Sequence, residues 1–295
     1  MPISEFFLTE RKNCSLLLQG KFNWLKTKWR KGHSFQLYHL TYMTEILAQY
    51  WQIILLFFLI ALLYSSVGFG GGSSYLAILT LYDLKFGFLR VVSLLCNIVV
   101  VSNGSFQFFR KGFLDFKKMI PLVLASVPMA FLGGKMPIKE QTFFIILGIT
   151  LLIAAITLWF QGTIPKISTI QKTDKLWVNL TIGGFIGLIS GLVGIGGGIF
   201  LSPLLYFLKW DEPKKIAATA SFFILVNSIA GLLGQMNASF FEMNWLLVFF
   251  LMASVAVGGL IGSYLGTQKL SSTIIRKATA VLIGYVSYTI LSKYL

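Results

Sequence analysis

Eight stretches of this chain contain no Asp, Glu, Lys or Arg: residues 46–82, 91–109, 119–134, 141–165, 176–208, 216–241, 243–268 and 278–292. A helix rises 1.5 Å per residue, so crossing a hydrocarbon core of about 30 Å takes roughly 20 apolar residues. In that layer only helices and closed barrels satisfy their own backbone polar groups. Most of the eight stretches hold one helix each. The last has 15 residues and reaches spanning length if Arg276 and Lys277 snorkel and the helix begins near Ser272. Charged residues make up 12% of the chain, against about 25% in a soluble domain, too few to cover a soluble surface. The class is therefore an all-α polytopic membrane protein, expected in the cell membrane, or the inner membrane of a Gram-negative cell. Trp51, Trp159, Trp177, Trp210 and Trp245 lie near window ends, at the depth where an amphipathic ring prefers the interface.

Residues 1–45 read differently. Seven Lys or Arg against two Glu lie among Phe, Trp and Leu before Glu45, a composition suited to an arm on an anionic leaflet, on the cytoplasmic side. The formal net charge of +15 is spread over the whole chain, so nucleic acid is not an expected partner. Cys14 and Cys96 have no metal-ligand spacing, and both histidines, His33 and His39, fall in the arm. With no nucleophile–base or metal motif inside the apolar windows, neither an enzyme, a catalytic residue, a metal nor a cofactor is expected.

The chain also repeats itself. A shift of 126 residues lays Val67–Gly68 on Val193–Gly194 and Gly70–Gly72 on Gly196–Gly198; a shift of 124 lays Asn103 on Asn227, and one of 128 lays "ASVP" on "ASVA". Two homologous transmembrane repeats follow, 46–160 and 177–295, joined by a polar linker at 161–176. The first window of each repeat, 37 and 33 residues, is too long for one helix. Glycine clusters divide both. The expected helices end at Val67 and Val193, and short ones run from Ser73 to Tyr82 and from Ile199 to Leu208, with three further spans in each repeat.

Glycine costs a helix about 1 kcal/mol relative to alanine, and irregular backbone survives in the hydrocarbon layer only when buried or facing a cavity. Matching breaks in two repeats point to the binding site of a transporter. The N-terminus of each short helix offers N–H groups and a positive dipole end that attract anions, and glycine removes the Cβ that would keep a ligand away. Packing between helices is the other use of such glycines. The substrate-binding candidates are Gly70, Gly71, Gly72, Ser73, Ser74, Asn97 and Asn103, with Gly196, Gly197, Gly198, Thr219, Ser221 and Asn227. The Ser, Thr and Asn residues are neutral hydrogen-bonding groups inside apolar helices, where polar side chains face the protein interior.

"VGFGGG" and "VGIGGGIFLSPLL", each followed by a polar-dotted helix ("VVSLLCNIVVVSNG", "AATASFFILVNSIAG"), resemble the sulfite exporter TauE/SafE family, also called the toluene sulfonate uptake permease family, over 46–295. Pro203 has no counterpart in the first half. The resemblance implies a secondary carrier for sulfite, sulfonates or related sulfur-containing anions. No carboxylate or cation stands in the middle of an expected span, so dipoles and neutral donors would hold the anion. A negative-inside potential drives such an anion out by about 2.3 kcal/mol per charge per 100 mV, which favours export. A small-anion channel and a sulfonate uptake permease are the alternatives. Expected partners are a small anion and membrane lipids, with homodimer formation left open. Between the repeats, the basic loop 110–118 corresponds to the acidic 236–242, and the weakly basic 135–140 to the basic 269–277. The positive-inside rule then makes the halves inverted, although four full crossings per half would make them parallel.

Overall fold

The computed structural model describes residues 35–66, 68–80, 82, 86–160, 176–208, 210–236, 244–268 and 272–295. The basic arm before residue 35 and the linker at 161–175 lie outside them. Contacts divide the chain into Met1–Trp51 and Gln52–Leu295; among the described residues, the first unit contributes only the opening turns of the first helix.

Ten helices and no strand occur among the described residues: α1 (Phe35–Ser65), α2 (Gly72–Leu79), α3 (Phe86–Arg110), α4 (Phe116–Lys135), α5 (Glu140–Phe160), α6 (Leu176–Val193), α7 (Gly198–Phe207), α8 (Pro213–Gln235), α9 (Trp245–Gln268) and α10 (Ser272–Tyr294). Seven are long and apolar enough to cross a membrane: α1, α3, α4, α5, α6, α8 and α9. The protein is a multi-pass membrane protein. Helix α10 starts at Ser272 and has the length, 23 residues, but carries Arg276, Lys277 and Lys293 and stands outside those seven. The two short helices have 8 and 10 residues, about 12 and 15 Å long, so neither crosses alone.

Helix α2 runs back along α1. Gly71 abuts Ile60, the Tyr75 ring stacks on Phe57 with centroids 4.5 Å apart, and the Tyr82 hydroxyl reaches Gln52 Oε1 at 3.5 Å. After the second break, Gly197 abuts Ser190 and Ile186 of α6, and Ile186 shares an apolar cluster with Leu201, Leu205 and Tyr206 of α7.

Small residues every fourth position set the main helix contacts. On α9, Ser254 Oγ donates to the Ile54 carbonyl at 2.6 Å, while a Cβ on Gly258 or Gly262 would strike the carbonyls of Phe58 and Leu62; α9 and α1 are thus parallel. On α6, Gly183, Gly187 and Gly191 press on the backbone of Leu122, Ser126 and Ala130 of α4, again in parallel. Without side chains at these points the backbones approach closely enough for dispersion contacts to hold them in lipid. Other pairs run antiparallel. Ser105 of α3 hydrogen-bonds Ser221 of α8 at 3.1 Å while Leu94 lies near Gly231. On α5, Phe144 stacks on Tyr294 of α10, and Gly148 accepts from Ser287 at 2.8 Å.

Candidate functional site

Both glycine clusters are breaks in the described backbone. The first helix ends at Ser65, two residues before the expected end, and the chain turns through Gly68 (φ 88°) and Gly71 (φ 84°). The Gly71 carbonyl then accepts from the N–H groups of Ser74 and Tyr75 and starts α2. At the second break, α6 ends at Val193 and Gly194, Gly196 and Gly197 adopt φ of 74°, 81° and 78°. The Gly197 carbonyl accepts from Phe200 and Leu201 to start α7. A left-handed backbone costs an L-residue with a Cβ about 1–2 kcal/mol, which is why glycine occupies these turns.

Helix α3 ties the breaks together. Asn97 is fully buried; its Oδ1 accepts from the Gly72 N–H at 2.9 Å and its Nδ2 donates to the Ile195 carbonyl at 2.8 Å. One turn earlier, Ser93 Oγ is 2.8 Å from the Gly72 carbonyl and 3.2 Å from that of Gly194, so its single proton is shared between the breaks. The Gly72 N–H is therefore occupied by the protein itself. In α7, the N–H groups of Gly198 and Ile199 meet no acceptor among the described residues.

Gly70, Gly71, Gly72 and Ser73 line a small cavity together with Ile195, Ile199 and Ile224. Its volume of about 10 Å³ holds about one water molecule. Ser73 Oγ is buried there with no partner among the described residues, whereas Ser74 pairs with the Tyr64 hydroxyl at 2.7 Å. Gly196 and Gly198 instead face Ile224, with Ser228 beside Gly196, and Gly197 faces Ser190 and Phe223. The other candidates lie along α3 and α8. Ser221 is held by Ser105, and Asn103 is half-buried and donates to Ser263 of α9 at 3.3 Å. Thr219 and Asn227 are buried without partners among the described residues, both amide atoms of Asn227 included. An orphaned buried polar group costs about 1–3 kcal/mol, so Asn227, Ser228, Ser190 and Thr219 form a set with unmet hydrogen-bonding capacity in the half that contains the second break.

One residue at the breaks escapes a search for charge inside spans. Arg90 falls just outside the uncharged window 91–109, yet α3 begins at Phe86 and buries it. Its guanidinium donates to the carbonyls of Gly191 (3.3 Å) and Leu192 (3.0 Å) and sits 5.5 Å from the centroid of Phe143. A cation at the C-terminal carbonyls of α6 complements the helix dipole, immediately before Gly194. The signal was present in the spacing: Arg90, Ser93 and Asn97 recur at i, i+3 and i+7 on one face of α3.

Beyond α7 the chain is fixed by charge. Asp211 is almost fully buried, 3.1 Å from Lys118 Nζ and 3.6 Å from Lys215 Nζ, and accepts from the Glu212 N–H at 2.8 Å. Burial raises its pKa, but that hydrogen bond and the two lysines outweigh burial and hold it below the ordinary carboxylate value. No group of three or more His, Cys, Asp or Glu placed to hold a metal occurs among the described residues.

The chain is 33% identical over 233 residues to a protein of Sinorhizobium fredii named "probable membrane transporter protein", covering 77% of this chain and 92% of that one. It is 29% identical to a similarly named protein of Methanocaldococcus jannaschii (63% and 72% covered) and 28% identical to one of Haemophilus influenzae (59% and 67%). No solved structure matches it. The family model of the sulfite exporter TauE/SafE proteins matches residues 53–290, from α1 through both breaks to α10. The expected family is thus the one found, and with helices, breaks and match coinciding, this chain belongs to the sulfite exporter TauE/SafE family.

Proposed function

We propose that the protein is a secondary carrier that exports a small sulfur-containing anion of the sulfite or sulfonate class, held where the two glycine breaks meet. The observation that carries this reading is Asn97, which bridges the N-terminus of α2 to the carbonyl at Ile195 beside a cavity walled by both breaks. A cavity with room for one water is too small for a sulfur oxyanion, so loading one requires the two breaks to separate. Asn97 and Ser93, bonded to both, are the contacts that such a movement exchanges.

The two halves are read as inverted repeats, each beginning with a hairpin that enters the membrane and returns. Support comes from direction: α2 turns back along α1, and the corresponding helices α3 and α8, and α5 and α10, run antiparallel. In this reading each half makes three full crossings rather than four, which gives the halves the opposite orientations that the loop charges favour. The anion is held by neutral donors and is driven outward by a negative-inside potential, without a catalytic step.

The test is flux into proteoliposomes with sulfite, thiosulfate, taurine, sulfoacetate and chloride offered in turn under an imposed potential. Saturable, electrogenic uptake of one sulfur anion with counterflow is expected. Unsaturable chloride conduction without counterflow would replace the carrier by a channel, and flux of none of the sulfur anions would overturn the substrate class.

A further inference from the structure

A second cavity lies away from the breaks, at the end of α3 where the span stops. Ser102, Phe106 and Phe109 of α3, Phe222 and Leu225 of α8, and Phe116 at the start of α4 form an open groove of about 350 Å³. Phe109 packs edge-on against Phe116 at 6.1 Å between centroids, and Phe116 against Phe222 at 6.4 Å, so one wall is a continuous row of rings. Phe106, Phe109 and Phe116 nevertheless remain 58%, 56% and 43% exposed. A convex apolar ridge in a spanning helix is covered by the lipid annulus. A concave one exposes rings on both flanks and gains more contact from a single chain laid along it.

The polar end of the groove is basic. Arg110 closes α3 with its guanidinium 5.9 Å from the Phe106 centroid, Lys111 and Lys117 are exposed on the adjoining loop and first turn of α4, and Lys214 stands 5.6 Å from the Phe113 centroid. The half-buried Asp115 is the N-cap of α4, where its carboxylate accepts from the Lys118 N–H at 3.4 Å. None of these four cations is in an ion pair among the described residues. Arg110, Lys111 and Lys117 stand between the end of α3 and the start of α4, and Lys214 at the start of α8, all three helices being membrane spans, which is headgroup depth. Aromatic rings below and unpaired cations above match the two parts of one molecule, an acyl chain and an acidic headgroup.

We infer that this groove binds one anionic phospholipid, its acyl chain along Phe106 and Phe109 and its phosphate between Arg110, Lys111 and Lys117. The site is separate from the glycine breaks and stands whether or not the carrier reading holds. It is tested on the purified full chain in detergent by adding phosphatidylglycerol, phosphatidylcholine of the same chain length, or glycerol phosphate, and reading both the melting temperature and lipids retained in native mass spectrometry. Phosphatidylglycerol is expected to raise the melting temperature by about 5 °C more than phosphatidylcholine, with one lipid retained. Arg110→Gln combined with Lys111→Gln should erase that difference. Ser102→Trp, which fills the groove from an exposed position, should remove the retained lipid while the protein still folds and elutes as the parent does. Equal effects of the two lipids, unchanged retention in both variants, or full stabilisation by glycerol phosphate alone would each overturn the assignment. So would a dimer that Ser102→Trp dissociates, since a second copy would then be the occupant.

Discussion

At the first break a polar side chain fills the space in front of the glycines; at the second an aliphatic one does. A Cβ on Gly70 or Gly72 would run into Asn97, and one on Gly196 or Gly198 would run into Ile224. Asn97 satisfies the Gly72 N–H and reaches across to Ile195. Ile224 satisfies nothing, and at the same break Ser228 beside Gly196 and Ser190 beside Gly197 are buried hydroxyls without partners among the described residues. The same backbone device thus appears once with its hydrogen bonds filled from within and once with capacity to spare. The first break acts as a clamp. The second has the unmet hydrogen-bonding capacity that a ligand bringing its own acceptors would use.

Asn97 is where the two breaks differ most. Asn97→Leu leaves a buried N–H at Gly72 and a buried carbonyl at Ile195, each costing about 1–3 kcal/mol, for a total of about 4 kcal/mol. We expect a melting temperature about 10 °C lower and loss of flux. Ile224→Asn makes the second break resemble the first and supplies an acceptor near Gly198, which offsets part of the buried apolar surface it removes, so its cost should be smaller, about 2 kcal/mol. If thermal melting finds the two variants equally damaged, the polar clamp has no special standing.

The positions of the breaks were legible in the sequence because nothing else in a charge-free window forces a helix to stop. Ser65 and Val193 end the first helices within two residues of expectation, and Gly72 and Gly198 begin the short ones one residue early. What supports each break was less legible. Sequence shifts lay Asn103 on Asn227, but contacts with the glycines relate Asn97 to Ile224 and Val101 to Ser228, both pairs 127 residues apart. Side-chain identity can slide along a helix by a residue or more, while packing against a glycine fixes the register. Asn103 accordingly finds Ser263 on α9, a partner 160 residues away, and Asn227 finds none among the described residues. Arg90 was hidden by its position at a window edge, and Asp211 by a partner, Lys118, that lies 93 residues earlier.

A sharper comparison comes from the left-handed glycines. Gly71→Ala and Gly197→Ala each force a Cβ into φ near +80°, costing about 1–2 kcal/mol. They add contacts with Ile60 and the tip of Tyr75 in one case, and with Ser190 and Ile186 in the other. Both proteins should melt about 4–6 °C lower. Sulfite affinity, measured by isothermal calorimetry on the folded fraction, should fall several-fold more in Gly197→Ala. A larger fall in Gly71→Ala would move the ligand to the first break.

Hydroxyl deletions separate clamp from seat with smaller effects. Ser93 donates within the protein, so Ser93→Ala should cost about 1 kcal/mol of stability and leave sulfite affinity within twofold. Ser228 has no partner among the described residues, so Ser228→Ala should be neutral or slightly stabilising while weakening sulfite about tenfold, the worth of one hydrogen bond to an anion. Loss of stability without loss of affinity in Ser228→Ala would mean that the hydroxyl serves the fold.

The smallest effect concerns how the short helices are anchored at their far ends. Helix α2 leaves toward Tyr82 and its contact with Gln52, whereas α7 leads to Asp211, held by Lys118 and Lys215. The folded-state pKa of Asp211 is depressed, so the group favours the folded state where both states are ionised, above its unfolded value of about 4. That contribution is lost as pH falls through the folded pKa. Lys118 and Lys215 are partly exposed, which limits the pairs to about 1 kcal/mol. Asp211→Asn should therefore lower the melting temperature by about 3 °C at pH 7, and the gap from the parent should close as both are titrated below pH 4. Pairing with the Glu212 N–H survives in the amide variant, since its carbonyl oxygen still accepts, so the difference isolates the lysines. A gap that persists unchanged at low pH would show that Asp211 anchors α7 through shape and neutral hydrogen bonding, and the contrast between the two far ends would then be one of packing alone.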